Sequence, residues 1–458
     1  MRYRIAIVGG GIAGLATAFW LEHDHGIEDI VVLESSNRPG GKMWSVSDGD
    51  HILEWGPQGF LDNAPDTLEL VRAAGLGDHL VRASRNSSDR FIVRKGKLRR
   101  IPLSPPAFMV SGVLGIGARL RLLGEPFARK GTDDEESVFD FARRRIGKGA
   151  ASILVDAMVT GIYAGDSTQL SLPATFPKMA AMEAEFGSLT RAMIAKRRAA
   201  RRTGTASGGP SGPSGTLTTF REGMGELPRT IAQRLGDRLI LAAPVRSILR
   251  RSGDFLLRGD GFDVTAATVI VAAPAYAASA MLTELAPAAV EPLRSIPTAP
   301  ITVVMDTFAG RMAFGRPVTG FGFLVPGTEP FGILGCLYCH GIFPGQAPPD
   351  HLLLRTMLGG ARDPGAFDLT DEATRERVHS VLSRLFGRAA TPARSWIIRH
   401  PRGIAQYTLG HLDRVQAATA AAEAAGVFLT GSFYYGVSTN DCIREARTTA
   451  AKAVATVG

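Results

Sequence analysis

An α/β fold built around a parallel sheet is predicted by three features of this 458-residue sequence. An apolar strand, RIAIV at 4–8, runs straight into glycines spaced G-x-G-x-x-G at Gly9, Gly11 and Gly14, and then into a helix-forming stretch. A second apolar run, IVVL at 30–33, ends on Glu34, twenty residues after Gly14. The closing segment, VFLTGSFYYGVSTNDCIREARTTAAKAVATV, repeats the order strand, glycine turn, helix. The first glycine permits a tight turn, the second lets backbone approach a pyrophosphate, and the third lets the helix pack closely on its strand. The helix start directs its positive dipole end at the phosphates. Glu34 can accept from ribose hydroxyls and would repel a 2′-phosphate. A dinucleotide site is therefore expected at residues 9–34.

The elements follow in order. The first helix is expected over 12–23, and Arg38-Pro39-Gly40-Gly41-Lys42 makes a second glycine turn after the acid. Gly56-Pro57-Gln58-Gly59 is a further turn, and 66–82 has helical spacing with Gly75 and Gly77 as stop signals. Cations crowd 90–100 (Arg90, Arg94, Lys95, Lys97, Arg99, Arg100) just before the apolar, proline-containing run IPLSPPAFMVSGVLGI, a juxtaposition suited to an interface. Helical patterns over 137–160 and 176–200 lead to TGTASGGPSGPSG, whose composition is that of a flexible loop. From 216 the chain turns β-rich, with a helix at 225–235, and ATVIVAAPA reads as a return to the nucleotide sheet. The runs TVVM, GFGFLV, GILGCLYC and HLLLRTML within 296–360 predict a mainly antiparallel sheet.

Composition narrows the function classes. Apolar residues make up 45% and charged residues 21%, a globular balance able to support two or three domains. The net charge of +9 calls for an anionic partner: nucleic acid, anionic lipid or a polycarboxylate. No helix-turn-helix, zinc finger or RNA-recognition motif accompanies the cations, and Phe91 alone is a poor stacking platform, so nucleic acid is set aside. Three cysteines, Cys336, Cys339 and Cys442, are too few for a disulfide framework, and the start is too short and glycine-bounded for a signal peptide. A reducing, cytoplasmic setting without a membrane span is expected.

Cys336-Leu337-Tyr338-Cys339-His340 matches the C-x-x-C-H of haem attachment, but in a strand side chains three apart point to opposite faces, so two buried thiols are expected instead. No second C-x-x-C or paired-histidine motif supports a metal, and no G-x-S-x-G supports a nucleophile. Among nine histidines His411, in QYTLGH, stands out, with a structural role as its plain reading. No catalytic side chain is identified, which suits chemistry carried by a cofactor.

Taken together, GGGIAGLA, LESSNRPGGK, GPQGF, DRFIVRKGKL, GIYAGD, GFGFLVP, QYTLGH and GVSTNDCIREAR resemble, in order and along nearly the whole chain, the FAD- and oxygen-dependent protoporphyrinogen oxidase family. That resemblance implies non-covalent FAD in a Rossmann-like domain of the amine-oxidase type, assembled from 1–85, 216–280 and 405–458. It implies a substrate domain with a large mixed or antiparallel sheet at 281–404, and a helical membrane-associating insertion at 86–215. The FAD contacts it implies are Gly9, Gly10, Gly11, Ile12, Ala13, Gly14, Glu34, Ser35, Gly41, Lys42, Gly56, Pro57, Gln58, Gly59, Val245, Gly431, Val437, Ser438 and Thr439. Relatives often carry a basic residue in the GPxG turn, where this chain has Gln58.

For the substrate, the resemblance matches Arg90 to an arginine that pairs with a propionate, and Gly161, Phe321, Leu324, Ile333 and Met357 to the walls of a tetrapyrrole slot. Read without it, the four large apolar residues would be core. The implied reaction is protoporphyrinogen IX to protoporphyrin IX, by three hydride transfers to flavin, with oxygen consumed and hydrogen peroxide released. Coproporphyrinogen III oxidation is the near alternative, to which Arg94, Lys95 and Lys97 would be suited; a flavin amine oxidase or carotenoid desaturase shares only the N-terminal motifs. The implied partners are the inner face of the cell membrane, a second copy of the chain and ferrochelatase.

Overall fold

The structure, a computed structural model, describes residues 2–102, 104–131, 135–203 and 215–457. The glycine- and serine-rich tract expected as a loop falls mostly outside them. The strand β1 (Arg2–Val8) pairs in parallel with β2 (Ile30–Leu33) on one side and with Asp263–Val271 on the other. Leu239–Ile240 extends the sheet beyond β2, Val427–Leu429 adds a parallel strand beside Asp263–Val271, and Val245–Arg251 with Asp254–Gly259 completes it in antiparallel fashion.

Alternation along these strands explains why both faces are covered. Ala6, Val8, Val31, Leu33, Val269 and Val271 point into one core, while Ile5, Ile7, Ile30, Val32 and Ile270 point into the other. The second core holds helix α1 (Ile12–His25), which ends at Gly26 in a left-handed conformation, and the C-terminal helix Thr439–Val457 packed against it.

The second sheet runs Arg394–Ala405, Thr298–Ala309, His351–Gly359, Gly335–Tyr338, Gly322–Leu324, Arg90–Arg94 and Lys97–Ile101. It is antiparallel except where Gly322–Leu324 joins Arg90–Arg94. One face is covered by the helix Asp371–Phe386, and on the other Val303, Met305 and Leu353 pack with Leu53 and Trp55. The segment 86–215 therefore opens with a hairpin that belongs to this second sheet; its remaining described elements are helical.

Two expectations from local pattern are corrected. The helix expected over 66–82 spans Pro65–Ala73; Gly75, at φ +79°, ends it, and Leu80–Arg82 is a strand paired with Leu217–Phe220. Cys336 closes into one core and Cys339 into the other, as the strand argument required, but Cys339 and His340 begin a short helix, Cys339–Ile342.

Candidate active site

The three N-terminal glycines have three different physical reasons. Gly9 sits at φ +111°, outside the range of ordinary side chains. A Cβ on Gly14 would lie 1.9 Å from the Gly9 carbonyl oxygen, so only glycine lets α1 approach β1. Gly11 is at φ −70°, and a Cβ there meets no protein atom within 4 Å. The protein does not need Gly11 to be bare; a group lying against the helix N-terminus does. This cradle fits a pyrophosphate.

Glu34 is buried and accepts from the Gly10 amide at 2.6 Å and from the Ser36 amide and hydroxyl at 2.8 and 2.7 Å. Ser35 is solvent-exposed beside it. Ala242 and Ala243 donate their amides to Ser36 and Glu34 carbonyls, which brings Val245 to the same edge. Gly40 bridges to Gly11, and a Cβ on Gly41 would lie 3.2 Å from the Gly11 Cα. Gly431 is at φ +120°, and a Cβ there would lie 3.8 Å from the Ala13 Cβ and the Ala272 carbonyl oxygen. Ser438 caps the C-terminal helix through the Asp441 amide at 3.1 Å, with Val437 and Thr439 flanking it. Gly10, Gly11, Glu34, Gly40, Gly41 and the strand leading to Val245 are thus brought together from separated stretches of sequence.

Lys42 leads from that cradle to the second sheet. Its Nζ donates to the Arg402 and Gly403 carbonyls at 2.8 and 2.6 Å, and desolvation by surrounding protein lowers it to about 8. A Cβ on Gly56 would strike the Lys42 carbonyl oxygen at 1.7 Å, which locks the two turns together. Behind the second turn, Gln58 donates to Gln346 at 2.7 Å, and the buried Arg355 donates to the Gly56 carbonyl at 2.6 Å. Burial pushes the neighbouring Glu54 carboxyl up to about 7, where Ser45 and the Met224 amide hold it.

The second sheet carries an apolar row on the face away from Asp371–Phe386. Ile92, Leu324, Gly335, Met357, Val303 and Ile398 are successive cross-strand partners and so share one face. The helix Asp156–Tyr163 packs on it at Gly161, where a Cβ would lie 2.9 Å from Leu324. Arg90 closes the edge, its guanidinium 5.2 Å from the centre of the Phe321 ring. Ile333, in contrast, packs into the core beneath Asp371–Phe386 on the opposite face and does not join the row. His411 is fully buried, stacked 3.9 Å from Tyr407 and lowered by burial to about 4, so it belongs to the core.

Arg355 escaped the sequence reading, although its signal was there: one arginine inside the apolar run HLLLRTML, two residues from Met357 and hence on its face. Gly335 escaped because a glycine in a strand acquires meaning only from its cross-strand neighbours.

Comparison with known proteins agrees in extent. The flavin containing amine oxidoreductase family matches residues 12–454. A chloroplastic protoporphyrinogen oxidase of Oryza sativa subsp. japonica is 32% identical, across 96% of this chain and 86% of its own. A coproporphyrinogen III oxidase of Bacillus subtilis (strain 168) is 29% identical, across 97% and 96%. A crystal structure from Exiguobacterium sp. 255-15, provisionally described as a protoporphyrinogen oxidase, superposes with a TM-score of 0.84 at 27% identity, covering 98% of each chain.

Proposed function

The chain belongs to the flavin containing amine oxidoreductase family, and from that premise we propose that it oxidises protoporphyrinogen IX to protoporphyrin IX using non-covalent FAD. The observation that carries this reading is the pairing of a bare phosphate cradle at Gly11 with an apolar row edged by Arg90. Gly9, Gly11 and Gly14 would hold the pyrophosphate, Glu34 the ribose, Val245 the adenine, and Lys42, the Gly56–Gly59 turn and Val437–Thr439 the flavin. The three cysteines are buried, and burial pushes the Cys339 and Cys442 thiols up to about 12, which speaks against a thiolate link to the flavin.

Bound FAD supplies two-electron oxidation, with oxygen as final acceptor, so that three rounds remove six electrons and release three molecules of hydrogen peroxide. The chain's own residues bind and orient. Leu324 and Met357 give a flat ring an apolar wall and exclude water, while Arg90 pairs with a propionate. No side-chain base is assigned, because ring N–H protons can leave by tautomerisation. We place the protein in the cytoplasm at the inner face of the membrane, as a homodimer passing its product to ferrochelatase.

A second reading, coproporphyrinogen III oxidation, is favoured by the Bacillus relative and by the cations along Arg90–Ile101. Anaerobic mixing of the yellow holoenzyme with each porphyrinogen, followed by flavin absorbance, separates the two. Bleaching by protoporphyrinogen IX is expected. Faster bleaching by coproporphyrinogen III would transfer the assignment, and bleaching by neither would overturn both.

A further inference from the structure

The edge hairpin of the second sheet carries an unusual concentration of charge. Its register sets Arg90 opposite Ile101, Ile92 opposite Arg99, and Arg94 opposite Lys97. Directly opposed residues project to the same face, so all four cations share the face of Ile92, which opens the apolar row through Leu324 to Met357. Like charges so arranged repel, and the fold answers only some of them. Glu329 lies 3.6 Å from Arg94 and accepts from the Lys95 and Gly96 amides at 2.7 and 3.0 Å. Its carboxylate thus serves the turn end of the hairpin, where Lys97 also sits. Arg100, on the other face, pairs with Asp89 at 2.7 Å.

Arg90, Lys97 and Arg99 have no side-chain ion pair among the described residues, and of these Arg90 and Arg99 sit at the open end of the hairpin. The Arg90 guanidinium rests on Phe321, and that of Arg99 passes over Gly112, where even an added Cβ would stay 3.9 Å away. Both are exposed. They are diagonal neighbours across the hairpin, with backbones roughly 7–8 Å apart, and they flank the buried Ile92. Ile92 is covered by Val113, Leu114, Ile153 and Ala157, so a flat ring would meet the pair with one edge from the solvent side. Two carboxylates on adjacent corners of that edge would each meet a guanidinium.

We propose that Arg99 is a second carboxylate anchor, which with Arg90 recognises two acidic substituents on one edge of a flat apolar ring. This rests on the porphyrinogen reading above and deepens it: the site selects a dicarboxylate edge rather than a single acid. Arg94, grouped with it by sequence alone, is committed to Glu329, which also holds the backbone amide of Lys95.

The test compares protoporphyrinogen IX with its dimethyl ester, in the holoenzyme and in Arg99→Ala, Arg99→Lys and Arg90→Ala. KM and kcat are measured alongside FAD content, and binding of protoporphyrin IX and its ester is followed by flavin fluorescence. Arg99→Ala is expected to raise KM for the diacid about ten-fold, with kcat and FAD content little changed and Arg99→Lys recovering part of the loss. On the ester, Arg99→Ala and the parent should agree to within about two-fold. An equal loss on diacid and ester would mean that Arg99 only supports the fold, and would overturn the proposal. So would an unchanged diacid KM with weaker sedimentation on phosphatidylglycerol vesicles, which would give the arginine to lipid headgroups. A parent enzyme that oxidises neither porphyrinogen overturns the functional reading itself, and the anchor with it.

Discussion

At the scale of single residues, Gly11 separates what the fold needs from what the ligand needs. Gly9 and Gly14 are required by backbone conformation and by packing, so replacing either would disturb β1 and α1. Gly11 is extended, with open space where its side chain would be. Gly11→Val should therefore keep the thermal midpoint of the apoprotein while abolishing FAD binding, because a branched side chain would occupy the pyrophosphate volume. Flavin released by acid and a thermal melt of the apoprotein measure both halves. A variant retaining full flavin would refute the placement of the cradle. The glycine spacing and Glu34 were legible because that motif is local, with every partner within one β-α-β unit. Ile333 was not: its apolar run reads the same whichever face it covers, and only pairing with neighbouring strands puts it under Asp371–Phe386 while Met357 packs on the opposite face.

At the scale of elements, the helices after the hairpin are held by a buried ionic knot that no local pattern announced. Arg145, fully buried, binds Glu125 through Nε at 2.9 Å and reaches Glu183 at 3.1 Å. Glu125 in turn accepts from the Leu189 and Thr190 amides at 3.0 Å each, at the start of Leu189–Thr203. One carboxylate thereby ties three helical segments. Removing the arginine would leave that carboxylate buried without its cation, a loss of roughly 3–5 kcal/mol. Arg145→Met should lower the urea midpoint by circular dichroism and open Leu189–Thr203 to proteolysis, whereas Arg246→Met, at the exposed Arg246–Asp260 pair, should leave the midpoint in place. Periodicity marked helical stretches over 137–160 and 176–200 but not their breaks at Gly147 and Gly187, both at positive φ, nor the helices Pro105–Val110 and Ile116–Leu123. Their anchoring was not legible either, since residues 125, 145 and 183 are far apart in the chain and arginine usually signals surface.

At the scale of the whole molecule, apolar and basic side chains stand exposed along residues 110–130. Val110, Ile116, Leu120, Leu123 and Phe127 are each at least 60% exposed, and Arg121, Arg129 and Lys130 lie among them. Among the described residues no helix is long and apolar enough to cross a membrane, so any attachment by this stretch would be at the surface. Sedimentation with phosphatidylglycerol vesicles should be strong at low salt and weaker at high salt, because attraction to headgroups is screened beyond about 8 Å at physiological ionic strength. Equal sedimentation with neutral vesicles would assign the contact to the apolar residues alone.

The sequence by itself determined the parallel nucleotide sheet, its glycine turn and the identity of the family, because each is written in contiguous residues whose spacing matches a helix, a strand or a turn. Tertiary structure alone decided which apolar residues share a face of the second sheet, that the hairpin Arg90–Ile101 forms its edge, and which of the hairpin's cations pair with a carboxylate. Those outcomes depend on register between strands as distant as residues 92, 324 and 357, and a strand's neighbours across a sheet are set by the folding of the whole chain.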